Sequence, residues 1–384
     1  MKKDFTYFLT IIMLQGFANS LLGYALPVYF RQLGFSGIQI GIFFAIAMLA
    51  PLLFSMPMGV TTDRFSISVI FMASFFLMAL SKVGFIISHS FWVFCLFAFF
   101  GNFGGRFFGV AKDALFFKLS GKENIREIGV FQLGAFVSMG FGMALGGILI
   151  ADLSYFLVFV VMTLCNLGLM VLSYFLPSPG TMAIAMAEYQ KAVFTPRVLL
   201  ITFAFFLYGL HGGAEQVAYG PFLHQVLHLN TKQMGLYTAI GFMFVGFGAY
   251  GGGWILKRKW IVNLQYLLYL GFVLNGIFHI LMCIPVWYLS FPFRLIHEIG
   301  DGFITLAYFH GIAQIFHLDK IGGCASFISL WSSIGIMTGA MLFGYVGEIW
   351  GPQWPLIISG IVMALTPLML KLINTYGLKQ TEIL

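Results

Sequence analysis

Arg106 and Asp113 stand seven positions apart inside a long apolar run, and Arg294 and Asp301 repeat the arrangement. The offset is 188 residues for both the arginines (294 − 106) and the aspartates (301 − 113). A charged side chain near the centre of a membrane helix costs roughly 2.5–3.5 kcal/mol on insertion scales. Groups kept at that cost face a bundle interior or a wet cavity and mark a pathway. Around the second copy, Arg294, His297, Glu298 and Asp301 fall at i, i+3, i+4 and i+7, one stripe of a helix. Tyr208, His211, Glu215 and Tyr219 make a similar stripe, and Asn102, Arg106 and Asp113 share a face because seven residues is nearly two turns.

These residue types suit ion-coupled binding. The two arginines can hold an anionic or hydrogen-bonding substrate, and the carboxylates can carry a proton. Burial in a partly dry cavity favours a neutral carboxyl, whereas a nearby arginine favours the ionised form, so opening to either side would switch the proton. The expected substrate-binding residues are Asn19, Arg106, His211, Glu215, Arg294 and Glu298; the expected proton carriers are Asp113, Glu215, Glu298 and Asp301. The alternative is that Arg106–Asp113 and Arg294–Glu298 are pairs that only hold helices together. His297-Glu298-Ile-Gly-Asp301 is similar to the zinc-protease pattern His-Glu-x-x-His with its second histidine replaced. Together with His211 and Glu215 it offers a divalent-metal site as a second possibility, though no resident metal or other cofactor is expected.

The elements that position these groups are membrane helices. The chain of 384 residues is 60% hydrophobic and 9% charged, against about 25% charged in soluble domains. Apolar runs of membrane length recur throughout. Spans are expected at roughly 5–30, 38–58, 66–88, 91–119, 128–150, 155–176, 198–226, 234–256, 261–284, 286–316, 322–346 and 354–373, with 59–64 a short loop after the second. Met1-Lys2-Lys3 imitates a signal peptide, but the run behind it has full membrane length, so it is taken as an uncleaved first span. Gln15 and Asn19 give that span a polar face. Lys82, inside span three, is expected to snorkel or to pair structurally. Gly134, Gly140, Gly142, Gly146 and Gly147 in span five suit close helix packing. Gly246-Phe-Gly248-Ala-Tyr-Gly251 matches a dinucleotide pattern, but it lies in an apolar helix with no strand before it, so packing is the expected role. Cys95, Cys165, Cys283 and Cys324 are scattered and form no Cys-x-x-Cys pair.

Pro177 to Arg197 carries three prolines and the short segment AIAMAEYQKAVF, and so divides the chain. The expected organisation is a six-helix bundle at 1–176, a cytoplasmic linker at 177–197 and a second six-helix bundle at 198–384. Pro27, Gln39, Gly41, Gly59 and Arg64 recur as Pro221, Gln233, Gly235, Gly253 and Arg258, 194 positions on (221 − 27). Six spans per unit in the same order make parallel repeats about an axis along the membrane normal. Fourteen basic residues, from Lys2 through Lys122 and Lys257 to Lys379, fall on the side of the termini, against Arg31 and Lys232 opposite. By the positive-inside rule both termini are cytoplasmic.

Gly59, Asp63 and Arg64 stand where the major facilitator superfamily has Gly-x-x-x-Asp-Arg-x-Gly-Arg-Lys, although Ser66, Ile67 and Ser68 replace its last three residues. Gly253 keeps its counterpart in the second half, without the aspartate. The Arg106 stretch resembles the family's span-four arginine motif with its glycine spacing off by one. Gly142-Met-Ala-Leu-Gly146-Gly147 resembles the antiporter pattern Gly-Pro-x-x-Gly-Gly without the proline. The sequence thus resembles this superfamily over nearly its whole length. The resemblance implies an all-α membrane protein of twelve transmembrane helices, with spans one, four, seven and ten lining a central cavity. It implies a gating role for Gly59, Asp63 and Arg64, which in the family latch the two halves.

The function expected is secondary active transport of a small molecule by alternating access, coupled to protons. A receptor or scaffold that moves nothing, and a divalent-metal transporter, are the alternatives. No phosphate-binding loop of the Gly-x-x-x-x-Gly-Lys type and no nucleophile–base pair supports ATP drive or an enzyme. The expected partners are the substrate, protons and the lipid bilayer, with no nucleic acid, for a monomer in the plasma membrane or the inner membrane of a Gram-negative cell.

Overall fold

The computed structural model describes residues 3–120, 125–177, 186–261, 263–317 and 320–377; Lys2, Lys122 and Lys379 lie outside them. Every regular element among them is helical: α1 (Lys3–Asn19), α2 (Ala25–Gln32), α3 (Gly37–Ala47), α4 (Leu49–Arg64), α5 (Ile67–Ile87), α6 (Phe91–Ser120), α7 (Ile125–Asp152) and α8 (Tyr155–Ser173) come first. A short helix follows, α9 (Met186–Val193). Then come α10 (Pro196–Pro221), a π-helical turn (Phe222–Val226), α11 (Thr231–Lys257), α12 (Leu264–Leu281), α13 (Trp287–Ile315), α14 (Ile321–Trp350) and α15 (Gln353–Gly377).

Ten of these segments among the described residues are long and apolar enough to cross a membrane. The expected first span is broken at 20–24, where Gly23 takes φ +49°, leaving pieces of 17 and 8 residues. The expected tenth, α13, is 29 residues long but carries Arg294, Glu298 and Asp301. Large apolar side chains such as Leu53, Trp92, Leu164, Phe175 and Tyr266 point outward, as a lipid-facing surface requires.

Local chemistry repeats at the starts of α3 and α11, 194 residues apart (233 − 39). Ser36 and Gln39 form a capping box at the start of α3, with bonds of 3.1 and 2.9 Å. Asn230 and Gln233 form the same box at the start of α11, at 2.9 and 3.0 Å. The Gln39/Gln233 repeat is therefore one N-terminal stop signal used twice.

The stretch expected to be a loop after span two is helical instead: α4 runs on to Arg64. The hydroxyls of Thr61 and Thr62 bond back to the carbonyls of Pro57 and Met58 at 2.7 and 2.8 Å. Gly59 lets this turn lie against α14, where a Cβ would stand 2.6 Å from Ser326 Oγ and 2.8 Å from the Gly322 carbonyl.

Glycine also sets the other close seams. On α7, Gly142 and Gly146 lie against the Phe17 and Leu21 backbone around the break in the first span. Gly140 and Gly147 on the same helix instead meet Ala239 and Gly235 of α11. Four or seven residues bring a helix back to nearly the same face, so each pair serves one neighbour. Gly209 and Gly213 of α10 interlock with Gly335 and Gly339 of α14 in the same way. Gly246 and Gly248 touch Leu133 and Ile299, which is helix packing.

Candidate functional site

The stripes expected on α10 and α13 face each other, and α12 closes the third side. Arg294 is the centre. Its Nη1 donates to Glu215 Oε1 at 2.5 Å, and its Nη2 pairs with Glu298 Oε1 one turn along α13. The guanidinium lies over the Tyr219 ring, 4.2 Å from its centroid, which is a cation–π arrangement. Arg294, Glu298 and His297 are 1% exposed or less.

Around this pair the other groups are ordered by the backbone and by amides. His297 Nδ1 is 2.9 Å from the carbonyl oxygen of Asn275 on α12. That bond turns Nε2 toward Glu215 Oε1 at 3.6 Å and Asp301 Oδ2 at 3.5 Å. The Asn275 amide donates to Asp301 Oδ1 at 2.6 Å. His211 Nδ1 meets Ser359 Oγ at 3.3 Å. His279 of α12 packs its ring edge-on against His211, with centroids 4.4 Å apart, and neither of its ring nitrogens has a hydrogen-bond partner among the described residues. Tyr24, from the turn between α1 and α2, donates its hydroxyl to Glu215 Oε2 at 3.2 Å.

The charge count matters here. Glu215, Glu298 and Asp301 are three carboxylates against the single guanidinium of Arg294, all nearly excluded from solvent. Fully ionised and with neutral histidines, the cluster would bury an excess of two negative charges. Uncompensated buried charge costs several kcal/mol per ion. Protons on the carboxyls or on His211, His279 or His297 remove that excess.

A divalent cation is the other way to remove it. His211, Glu215, His279 and His297 each offer a ligand-type atom within 4.8 Å of the others, as do His297, Glu298 and Asp301. Glu215 Oε1, which lies 3.9 and 3.6 Å from the nitrogens of His279 and His297, is however the oxygen that Arg294 holds at 2.5 Å. A guanidinium at that oxygen repels a second cation, so this arrangement suits protons better than a metal.

Arg106 is not brought to this cluster. Its Nε donates to Ser55 Oγ at 3.0 Å and its Nη2 to the Ser326 carbonyl at 3.5 Å, bridging α4 and α14. Asp113 faces the same small space as Arg106 but pairs with Lys112 at 3.3 Å. The Arg106–Asp113 ion pair that stood as the alternative to a functional role is not formed, and Asp113 pairs with its chain neighbour instead.

Lys82 has no ion-pair or hydrogen-bond partner among the described residues, so the structural pairing that was one of its two expected roles is not found there. It lines a cavity of about 330 Å³ between α1, α3, α5 and α6, together with Asn19, Asn102 and Gln216. Asn19 is steered there by 3.2 and 3.4 Å bonds to the Gln15 carbonyl and Asn166.

Hydrogen bonds tie α14 to the start of α3 and to the end of α4. At one end Glu348 Oε2 accepts from Arg31 Nη2 at 2.7 Å and from the Gly37 amide at 2.6 Å. At the other, Asp63 Oδ2 accepts from Tyr189 of α9 at 2.9 Å and from the Gly323 amide in the first turn of α14 at 3.4 Å. Arg64 is exposed beside it. Burial, then the Asp63 carboxylate, push the Tyr189 phenol above its ordinary range. Next to it Glu188 bonds Lys320 at 2.7 Å, and that bond holds its carboxyl below the usual value.

His279, Tyr24, Asn275 and Gln216 were not singled out from the sequence. Asn275 and His279 stand at i and i+4 of an otherwise apolar span, and that pairing was the available signal.

A family model described as the Major Facilitator Superfamily matches residues 8–272. No curated protein matches the sequence. Among solved structures, a bacterial homologue of the human lysosomal transporter Spinster, inward-facing and occupied, aligns with TM-score 0.77 at 14% identity, covering 98% of each chain. The human organic anion transporter MFSD10 aligns with TM-score 0.72 at 14% identity over 96% of this chain and 100% of its own. The nucleoside transporter NupG aligns at 0.74 and 12% identity over 98% of this chain and 100% of its own.

Proposed function

The chain belongs to the Major Facilitator Superfamily, and from that premise we propose that it is a secondary active transporter of a small molecule, driven by protons and working by alternating access. Membrane transport follows from the family. The proton coupling rests on one observation: three buried carboxylates share one guanidinium with three histidines around them.

In this reading Glu215, Glu298 and Asp301 carry the proton, with His211 and His297 beside them, and Arg294 holds the ionised state. Asn19 and the cavity beside it take the substrate. Arg106 and Asp113 act between α4, α6 and α14. The spans number twelve, in halves at 1–176 and 198–384 joined by 177–197, with both termini cytoplasmic. Gly59, Asp63 and Arg64 form the cytoplasmic gate.

The Tyr24–Glu215 bond supplies the coupling. A carboxylate accepts a hydrogen bond more strongly than a neutral carboxyl does. A proton on Glu215 therefore weakens its hold on both Tyr24 and Arg294 and frees α10 to move relative to the first span. A divalent cation as cargo is the second reading, favoured by the three histidines and opposed by Arg294 on the shared oxygen.

The test is a panel of small solutes, with zinc and manganese included, in proteoliposomes with an imposed pH gradient. Uphill accumulation of one organic solute, collapsed by a protonophore, is the expected result. Accumulation of a metal alone would transfer the reading to cation transport, and binding without flux of any solute would make the chain a receptor.

A further inference from the structure

We propose that the cavity beside Lys82 binds a small organic monoanion, a carboxylate carried on an aromatic or branched apolar body. The inference rests on the transporter reading and names the class of its cargo.

An ammonium inside an apolar span is expensive and persists where something compensates it. Three other cations lie well inside the spans, and each has a partner. Arg294 has Glu215 and Glu298, Lys112 has Asp113, and Arg106 has Ser55 and the Ser326 carbonyl. Lys82 has neither an ion pair nor a hydrogen bond among the described residues, and no acidic residue lines its cavity. The compensating charge therefore comes with the occupant.

One lysine balances one negative charge, which favours a monoanion over a phosphate dianion. An amine would set like charge against Lys82, and the ammonium of a zwitterion would find no carboxylate in the wall. The Asn102 amide is already spent on the Ala98 carbonyl at 3.0 Å, so few donors remain besides Lys82. The rest of the wall includes Phe44, Phe85 and Met48, which suit a ring or a branched chain. A space of about 330 Å³ sits at the lower end of ligand pockets, the size for a ring with a short tail. Gln216 is the chain neighbour of Glu215, so occupant and proton meet the same turn of α10.

The test uses the purified full chain, with benzoate, cyclohexanecarboxylate and 3-methylbutanoate as anions. Benzamide serves as the neutral isostere and benzylamine as the cation. Binding is read by ligand-induced thermal stabilisation and calorimetry in detergent, and flux by counterflow in proteoliposomes. At least one of the carboxylates binds, benzamide and benzylamine bind at least about tenfold more weakly than it, Lys82→Met loses the carboxylate by a similar factor, and Lys82→Arg keeps it. Lys82→Met removes a charge from an apolar span, so its unliganded melting temperature stays at or above the wild-type value. The proposal is overturned if none of the three carboxylates binds at millimolar concentration, or if Lys82→Met binds them as well as the wild type does. Binding through Lys82 without counterflow would leave the site standing and remove the transporter reading instead. Flux of benzamide alone would do the reverse.

Discussion

Tyr24 and Glu215 join the first span to α10 through a single 3.2 Å hydrogen bond, and the other oxygen of the same carboxylate is held by Arg294 at 2.5 Å. One proton on Glu215 is therefore felt by two partners on two different segments of the chain.

Glu215→Gln keeps the size and one acceptor oxygen of the side chain, turns the other oxygen into a donor and removes the charge. It is expected to abolish accumulation against a gradient at an imposed pH difference while leaving substrate exchange within about threefold of wild type, a change of under about 1 kcal/mol. Paired uphill and exchange assays in proteoliposomes check this. Full proton-driven accumulation by the variant would take Glu215 out of the mechanism.

Arg294→Met leaves Glu215 and Glu298 facing each other without their shared cation. Removing one partner of a buried ion pair costs about 3–5 kcal/mol, so the variant should melt well below the wild type in detergent. The triple variant Arg294→Met, Glu215→Gln, Glu298→Gln should recover part of that loss. If Arg294→Met melts like the wild type, the carboxylates are not held by Arg294.

Tyr189→Phe deletes the hydroxyl that α9 donates to Asp63. A hydrogen bond to a charged group is worth about 1.5–3 kcal/mol, so the contact between α4, α9 and α14 should open more often. Cys324, fully buried beside Gly323, reports on it. Its alkylation by a maleimide should speed up about tenfold, the factor that 1.4 kcal/mol corresponds to. An unchanged rate would show that Tyr189 does not hold this end closed.

Gly339→Val places a Cβ inside contact distance of the Leu210 carbonyl oxygen on the α10–α14 seam. Overpacking of this kind costs about 1–3 kcal/mol. It also shifts α10, which carries Glu215, so transport should fall by more than the loss of folded protein explains. Comparing flux per folded molecule, by quantitative binding and counterflow, separates the two effects. Wild-type flux per folded molecule would show that the seam does not position Glu215.

The stripe on α13 was legible in the sequence because an i, i+3, i+4, i+7 run of ionisable residues inside an apolar span has no other helical meaning. The glycines of α7 were legible as packing residues, though not which of them meets which neighbour. Tyr24, Asn275 and His279 were not, because Tyr24 enters the cluster from the break in the first span and Asn275 and His279 from α12, segments with no charged residue to mark them. Lys82 showed its charge but not its direction. The segment after span two looked like a loop because Gly-Val-Thr-Thr is a poor helix; contact with α14 and the threonine back-bonds hold it helical.

Backbone rests almost bare on backbone where Gly147 meets Gly235 and where Gly41 meets Ala340 and Gly344. Surfaces of that kind have no knobs to lift out of holes. They can part from either rim and settle again without any side chain changing rotamer. The same smoothness makes them intolerant of bulk: a single added methyl group would act as a wedge, jamming the joint ajar.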